Sequence, residues 1–431
     1  MIRKHFILTT AALFACALSY GGVVNTFKFD NGLMLIHKEI SDNPLVTFQI
    51  FSRGGSINEQ ASQAGLAQFT QGLLMQGTKK RNAEQLARDL EDIGAMMSSD
   101  ISNDFSTLGV SCLDENAEKS VEILCDIAFN PAFEDKEIEK ERPNIVAAIK
   151  ARQDRIFQAA DDIFIKAFYG DHPYSWPDLG KAETVPGFTR KDIENWHREH
   201  FAVNNMVLVV FGKISFEKTK SLAAKYFSAA AGAKVSDTFK QAEPPKKQLI
   251  KKKLPKFKQA FLMIGFPAPR ANDRDYAALK VINAILGGRM SGRLFTELRE
   301  KLSLAYEVNS FYPSKRELSR FVVYMGLEAK NLELAKKRIF ELLDELKQTP
   351  VSETELSETK NFIRGNYLLD HQTIGRKSWY CGWWEIMGAG YAYDEKYLDD
   401  LMAVSASDIR EAANKYFSDK FVQVEIVPEN N

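Results

Sequence analysis

The sequence is poor in the features that mark specialised classes of chain. It has four cysteines in 431 residues, Cys16, Cys112, Cys125 and Cys381, too few for a disulfide framework and with no pair at zinc-finger spacing. It has no surplus of charge, since Lys+Arg and Asp+Glu number 57 each, so no global field attracts nucleic acid or cationic partners. Beyond its N-terminal segment it has no apolar run of membrane-spanning length. It also lacks compositional bias: 45% hydrophobic and 26% charged residues are ordinary for a globular protein and exclude disorder, collagen and coiled coil. Function must come from local sites.

What is present begins with a basic start, Met1-Ile2-Arg3-Lys4-His5, an apolar run from Phe6 to Leu18 and then small residues, the pattern of a secretory signal. Residues 1–21 are therefore expected to be removed, after Ser19 or Gly21, giving a soluble exported or periplasmic protein. Leu13-Phe-Ala-Cys16 is a poor lipoprotein box because a bulky Phe stands two before the Cys. Loss of Arg3 and Lys4 leaves 55 basic against 57 acidic residues, a net charge of −2. The three cysteines left read as small buried hydrophobes, with a Cys112–Cys125 bond open to them in an oxidising compartment.

The composition shifts at Ala242-Glu-Pro-Pro-Lys-Lys247, and seven lysines fall between 246 and 258. This reads as a solvated linker over 233–255 between an N-terminal domain, 22–232, and a C-terminal domain, 256–431, with the lysine run as linker and strand edge or, alternatively, as a patch for an acidic partner. The two halves repeat one another at a shift of about 216–219 residues. Thr189-Arg-Lys-Asp-Ile193 leads into the apolar strand 206–211, and Ser405-Ala-Ser-Asp-Ile409 leads into the strand 421–427. The helix of 117–129 with its following charged helix parallels 334–346 and the capping box Ser352-Glu-Thr-Glu355. Asp30-Asn31-Gly32 marks a hairpin, and 46–50, 105–113, 260–266 and 321–325 read as strands. Leu66, Phe69 and Leu73 have helical spacing, as do Leu86, Leu90 and Ile93, and helices are expected over 274–286 and 291–302. The fold class is α+β: two homologous domains in tandem, each a mostly antiparallel sheet covered by helices.

The segment Gly65-Leu-Ala-Gln68-Phe-Thr-Gln71-Gly72-Leu-Leu-Met-Gln-Gly-Thr78 resembles the signature helix of the pitrilysin/insulinase (M16) zinc peptidase family, and the resemblance runs from about Phe27 to the C-terminus. The family's H-x-x-E-H motif binds zinc through its two His and activates water with the Glu. Here those three positions are Gln68, Gln71 and Gly72, and the family's third ligand, a Glu, falls on Ala148. A neutral amide, a hydrogen and a methyl group neither bind Zn²⁺ as imidazole and carboxylate do nor take a proton at neutral pH. No metal is expected in this chain.

The second half keeps more of the pattern. Leu286-Gly-Gly-Arg-Met-Ser-Gly-Arg293-Leu-Phe-Thr-Glu-Leu298-Arg299-Glu-Lys-Leu-Ser-Leu-Ala-Tyr306 is similar to the family's C-terminal signature nearly throughout. The resemblance implies that Arg299 contacts a substrate carbonyl and that the Tyr306 hydroxyl supports a developing oxyanion. In two-subunit bacterial members one chain holds zinc and the other holds the Arg/Tyr pair, and this sequence looks like the second. Read from spacing alone, Arg299 would lie late on an amphipathic helix with Leu294, Leu298 and Leu302 inward, as a surface cap or ion pair, with Tyr306 in the core.

Other constellations have plainer readings. His197 and His200 stand one turn apart without a third ligand and read as a structural helix, His172 as a packed loop residue, and His371 lies far from any ligand set. Gly287-Gly-Arg-Met-Ser-Gly292 lacks the context of a phosphate loop and reads as a flexible turn. Trp379, Trp383 and Trp384 either line a peptide cavity or pack a helix core. The function expected is that of a non-catalytic subunit of an exported heterodimeric zinc peptidase, binding peptide and supplying Arg299 and Tyr306 to a homologous zinc-bearing partner. The alternative is an inert peptide-binding or scaffold protein of the cell envelope.

Overall fold

Alternating and helical apolar periodicities follow one another along the chain. In the computed structural model, which describes residues 23–228, 230, 232–233 and 239–429, they become two sheets and the helices that cover them. The signal-segment reading lies outside the described residues. The first half runs β1 (Val24–Lys28), β2 (Met34–Glu39), β3 (Leu45–Arg53), α1 (Leu66–Leu73), α2 (Ala83–Asp92), β4 (Met96–Ile101), β5 (Phe105–Leu113), α3 (Ala117–Phe129), α4 (Asp135–Gln153), α5 (Ile156–Tyr169), α6 (Arg190–His200), β6 (Met206–Gly212) and α7 (Phe216–Phe227). The second runs β7 (Gln248–Lys253), β8 (Ala260–Ala268), α8 (Tyr276–Leu286), a π-helix (Phe295–Lys301), β9 (Ala305–Phe311), β10 (Ser319–Leu327), α9 (Leu332–Gln348), α10 (Glu353–Asp370), α11 (Ile374–Met387), α12 (Tyr393–Ala403), α13 (Ala406–Tyr416) and β11 (Val422–Val427).

The first sheet has the order β1-β2-β6-β3-β5-β4 and the second β7-β11-β8-β10-β9. Each contains one parallel pair, β2·β6 and β7·β11, and is otherwise antiparallel. The second order repeats the first strand for strand, leaving β1 without a counterpart among the described residues. The duplication read from the sequence is thus a duplication of topology. The expected linker needs correction, because Gln248–Lys253 pairs in parallel with β11 and the second sheet begins inside the 233–255 span. A lysine run hid the alternation: Ile250 is half-buried against α5's core while Leu249 and the lysines face outward.

Outer helices cover each sheet from its own half, but the inner faces are exchanged. Helix α5 of the first half packs on β8 and β11, and α11 of the second half packs on β3 and β6. One core cluster joins Ala160, Phe164 and Phe168 to Phe261, Met263, Val422 and Val424; another joins Trp383 and Trp384 to Phe51, Val207 and Val209. Two close fits lock the exchange. A Cβ on Gly265 would lie 2.3 Å from Cζ of Phe164, and a Cβ on Gly382 would lie 2.2 Å from Cε2 of Phe51. Phe164 fills a hole on a strand, whereas Phe51 fills a hole on a helix. Burial of one such ring contributes about 1.5–3 kcal/mol.

A polar seam completes the junction. The loop between β9 and β10 meets the turn between β4 and β5, where the Lys315 ammonium donates to Asn103 Oδ1 and the Arg316 backbone N–H to Asp104 Oδ2 at 3.4 Å. The Tyr174 hydroxyl donates to Asp104, and Arg320 pairs with Asp161 at 3.1 Å. Buried polar groups of this kind are costly unless paired, and here most are paired across the two halves.

Candidate functional site

Helix α1 carries the three positions that correspond to the family's zinc motif. It starts at Gly65, whose φ of +98° suits glycine and whose Cβ would lie 2.7 Å from Cα of Gly180. The free N–H groups of its first turn are capped by Glu59, a residue the sequence reading did not single out: its carboxylate accepts from Gly65 N at 3.1 Å and Ala67 N at 2.8 Å. Burial pushes the Glu59 carboxyl up to about 8, against the pull of those N–H donors.

Gln68, Gln71 and Gly72 line a cleft of about 360 Å³ together with Met75, Ser99, Asp100 and Ile101. Gln71 points inward and is only 3% exposed. Its amide donates to Ser99 Oγ and to the Thr107 carbonyl, both at 2.9 Å, while its Oε1 is unpartnered. The side chain at the family's general-base position therefore ties α1 to β4 and β5. At Gly72 a Cβ would lie 3.7 Å from Glu141 Oε1 of α4. Ala148, two turns further on, is exposed on α4 and does not line the cleft. This donor set does not fit zinc, and among the described residues no group of three or more His, Cys, Asp or Glu side chains converges in a metal-holding arrangement. The cleft abuts β4, the edge strand of its sheet.

Arg299 lies on the π-helix, where Leu302 N–H donates to Glu297 C=O five residues back at 3.1 Å. Such segments are rare and concentrate at functional sites. The wider turn leaves Leu302, expected inward, 41% exposed. Arg299 is exposed, has no ion-pair partner among the described residues, and lays its guanidinium 5.0 Å from the centre of the Phe295 ring. Tyr306 is the second residue of β9 and is 56% exposed, its hydroxyl making one long contact of 3.4 Å to Glu328 among the described residues. It is not the core residue that spacing alone allowed. Neither side chain lines the Gln68 cleft. The base of the helix is held by Arg293, whose guanidinium grips both oxygens of Glu355 at 2.8 and 2.7 Å.

The remaining candidates are structural. His197 bonds the Ala128 carbonyl at 2.9 Å and His172 bonds Tyr174 N and the Lys240 carbonyl, and burial pushes both down to about 4. His200 packs against Trp196 with the two rings tilted. His371 lies between the rings of Tyr367 and Tyr380, 3.2 Å from Asp394. Trp383 and Trp384 pack α11, and Trp379 rests half-buried near Phe51 and Phe105. Cys112, Cys125 and Cys381 are buried free thiols, so Cys112 and Cys125 are not bonded. The turn at Gly287 is close-packed, a Cβ there lying 2.3 Å from Ser310 N.

Comparison with known proteins adds the following. The family described as "Insulinase (Peptidase family M16)" matches residues 35–180, and that described as "Peptidase M16 inactive domain" matches 187–363. The chain is similar to a Bacillus subtilis protein named "Uncharacterized zinc protease YmxG", 26% identical over 95% of this chain and 99% of that one. It is also similar to an "Uncharacterized zinc protease" of Rickettsia felis, 28% identical over 91% and 95% of the two chains. A solved M16 inactive domain from Pseudomonas fluorescens shares the fold with a TM-score of 0.89 at 22% identity, covering 94% of this chain and 98% of its own. A protease from Helicobacter pylori does so with a TM-score of 0.88 at 20% identity, covering 95% and 100%.

Proposed function

Because the chain belongs to the pitrilysin family of M16 peptidases and carries no zinc ligands at the family's zinc positions, we propose that it is the non-catalytic subunit of an exported two-chain zinc peptidase. It binds an extended peptide substrate and presents Arg299 and Tyr306 to the site of a homologous zinc-bearing partner. The observation that carries this reading is that both side chains are exposed and nearly unengaged, while their neighbours Arg293 and Leu298 are held by an ion pair and by the core. A guanidinium held only over one ring and a phenol held only by one long hydrogen bond can still donate to an oxyanion outside the chain. The free edge of β4 beside the Gln68 cleft supplies unpaired main-chain groups to which an extended peptide can add.

The test is reconstitution with the zinc-bearing homologue and a chelator-sensitive peptide-cleavage assay. Arg299→Ala and Tyr306→Phe should each lower turnover by about 10²-fold while the two chains still co-elute in size-exclusion chromatography. Unchanged turnover in both variants, or full activity of the homologue alone, would leave the inert peptide-binding role in its place.

A further inference from the structure

The repeat of the two halves exposes a second binding edge. Register alignment matches β2, Met34-Leu-Ile-His-Lys-Glu39, to β7, Gln248-Leu-Ile-Lys-Lys-Lys253, since both lie parallel to the corresponding strands β6 and β11. In the first half β1 adds antiparallel to β2, pairing Phe27 with Leu35 and Asn25 with His37, and α7 packs on the same strand. Leu35 and His37 are consequently fully buried. In the second half nothing among the described residues takes either place, and Leu249, the equivalent of Leu35, is 64% exposed.

The free edge has a defined chemistry. Gln248 N–H donates to the Phe421 carbonyl and Leu254 N–H to the Val427 carbonyl, so the even-numbered residues point their main-chain groups at β11. By alternation Leu249, Lys251 and Lys253 point theirs outward, and their side chains share one exposed face. Lys246, Lys251, Lys252, Lys253 and Lys258 have no acidic partner within ion-pair distance among the described residues. In a chain with 57 charges of each sign, this is a local basic strip laid along unpaired ladder groups.

We propose that β7 is a docking edge for an extended, acidic segment of a partner protein, which adds antiparallel to β7 in the place β1 holds on β2. A second copy pairing β7 with β7 would set lysine against lysine and is disfavoured. An anionic membrane would use the lysines but not the outward N–H groups, and the ladder is what selects a peptide.

The experiment titrates the full chain into a short fluorescein-labelled peptide alternating Glu and Thr and follows anisotropy, with anionic phosphatidylglycerol vesicles as a parallel probe. Binding is expected to the peptide, weakened about tenfold by Lys251→Glu with Lys253→Glu and about as much by Lys251→Pro. Proline there deletes an outward N–H and leaves the β11 ladder intact. Hydrogen exchange should slow at Leu249, Lys251 and Lys253 when peptide is bound. Absence of binding would mean that the lysines only keep the edge unpaired and would overturn the proposal. So would peptide binding indifferent to Lys251→Pro, or binding to vesicles without binding to peptide.

Discussion

Gln71 holds its place by donating two amide N–H groups to oxygens of β4 and β5. Replacing it with glutamate, the residue the family uses at this position, would turn a carboxylate toward the Thr107 carbonyl with no donor between them. Gln71→Glu should therefore destabilise the protein by about 1–3 kcal/mol at alkaline pH and less at acidic pH, where the protonated acid can donate again. Urea unfolding at two pH values checks this. The place of Gln71 on a helix was legible from the spacing of Leu66, Phe69 and Leu73. Its tie to the sheet was not, because sequence spacing does not say which way an amide turns. Glu59 left no signal at all, since it caps α1 from outside the capping-box spacing.

At the level of elements, strands with clean alternation and capped helices were legible, and Thr189 and Ser405 close the capping boxes read for them; Ser352 caps α10 through the Glu355 N–H, but the Glu355 carboxylate turns to Arg293 instead of closing the expected box. The π-helix was not, because its apolar positions Leu294 and Leu298 fit an ordinary helical period and the widened turn appears only in the hydrogen bonds. Its attachment to α10 through Arg293 and Glu355 is a two-point grip that lysine cannot reproduce. Arg293→Lys is expected to cost about 1 kcal/mol of stability, read from the denaturation midpoint. On the role proposed above for Arg299, it should also lower turnover of the chain reconstituted with a zinc-bearing homologue more than that loss explains, because the helix bearing Arg299 loses its anchor.

For the whole molecule, the exchange of α5 and α11 makes each half part of the other's core. Which sheet a helix covers is not written in its own periodicity, so the sequence yields two homologous domains in tandem without the exchange between them. An engineered protease site cut at 242–245 should leave two fragments that co-elute and unfold in one transition, as seen by chromatography and calorimetry. Protonation should shape that stability. His172 and His197, held near 4 against an ordinary 6.5, stabilise the fold above pH 6.5 and lose that contribution as pH falls toward 4. Glu59, held near 8 against 4.5, acts in the opposite sense, its contribution being complete below 4.5 and lost as pH rises through 8. By themselves these three groups give a stability that rises with pH up to about 6.5 and falls above it. Glu59→Gln should flatten its alkaline side, which a pH series of thermal melts would show.

The reversed sizes at the two inner faces also decide which halves can recognise each other. Phe164 and Gly382 hold the ninth position of α5 and of α11, and the strand registers set Phe51 opposite Val207 and Gly265 opposite Val422 at matching points of the two sheets. Were each helix to fold back onto its own sheet, phenylalanine would meet phenylalanine on one side and glycine would face glycine on the other, a collision and a void. Two first halves from separate molecules would meet the same collision, and two second halves the same void. Four side chains thus make the ancestral copies mutually exclusive to themselves and complementary only to one another, so that a duplicated fold has become an asymmetric pair within one polypeptide.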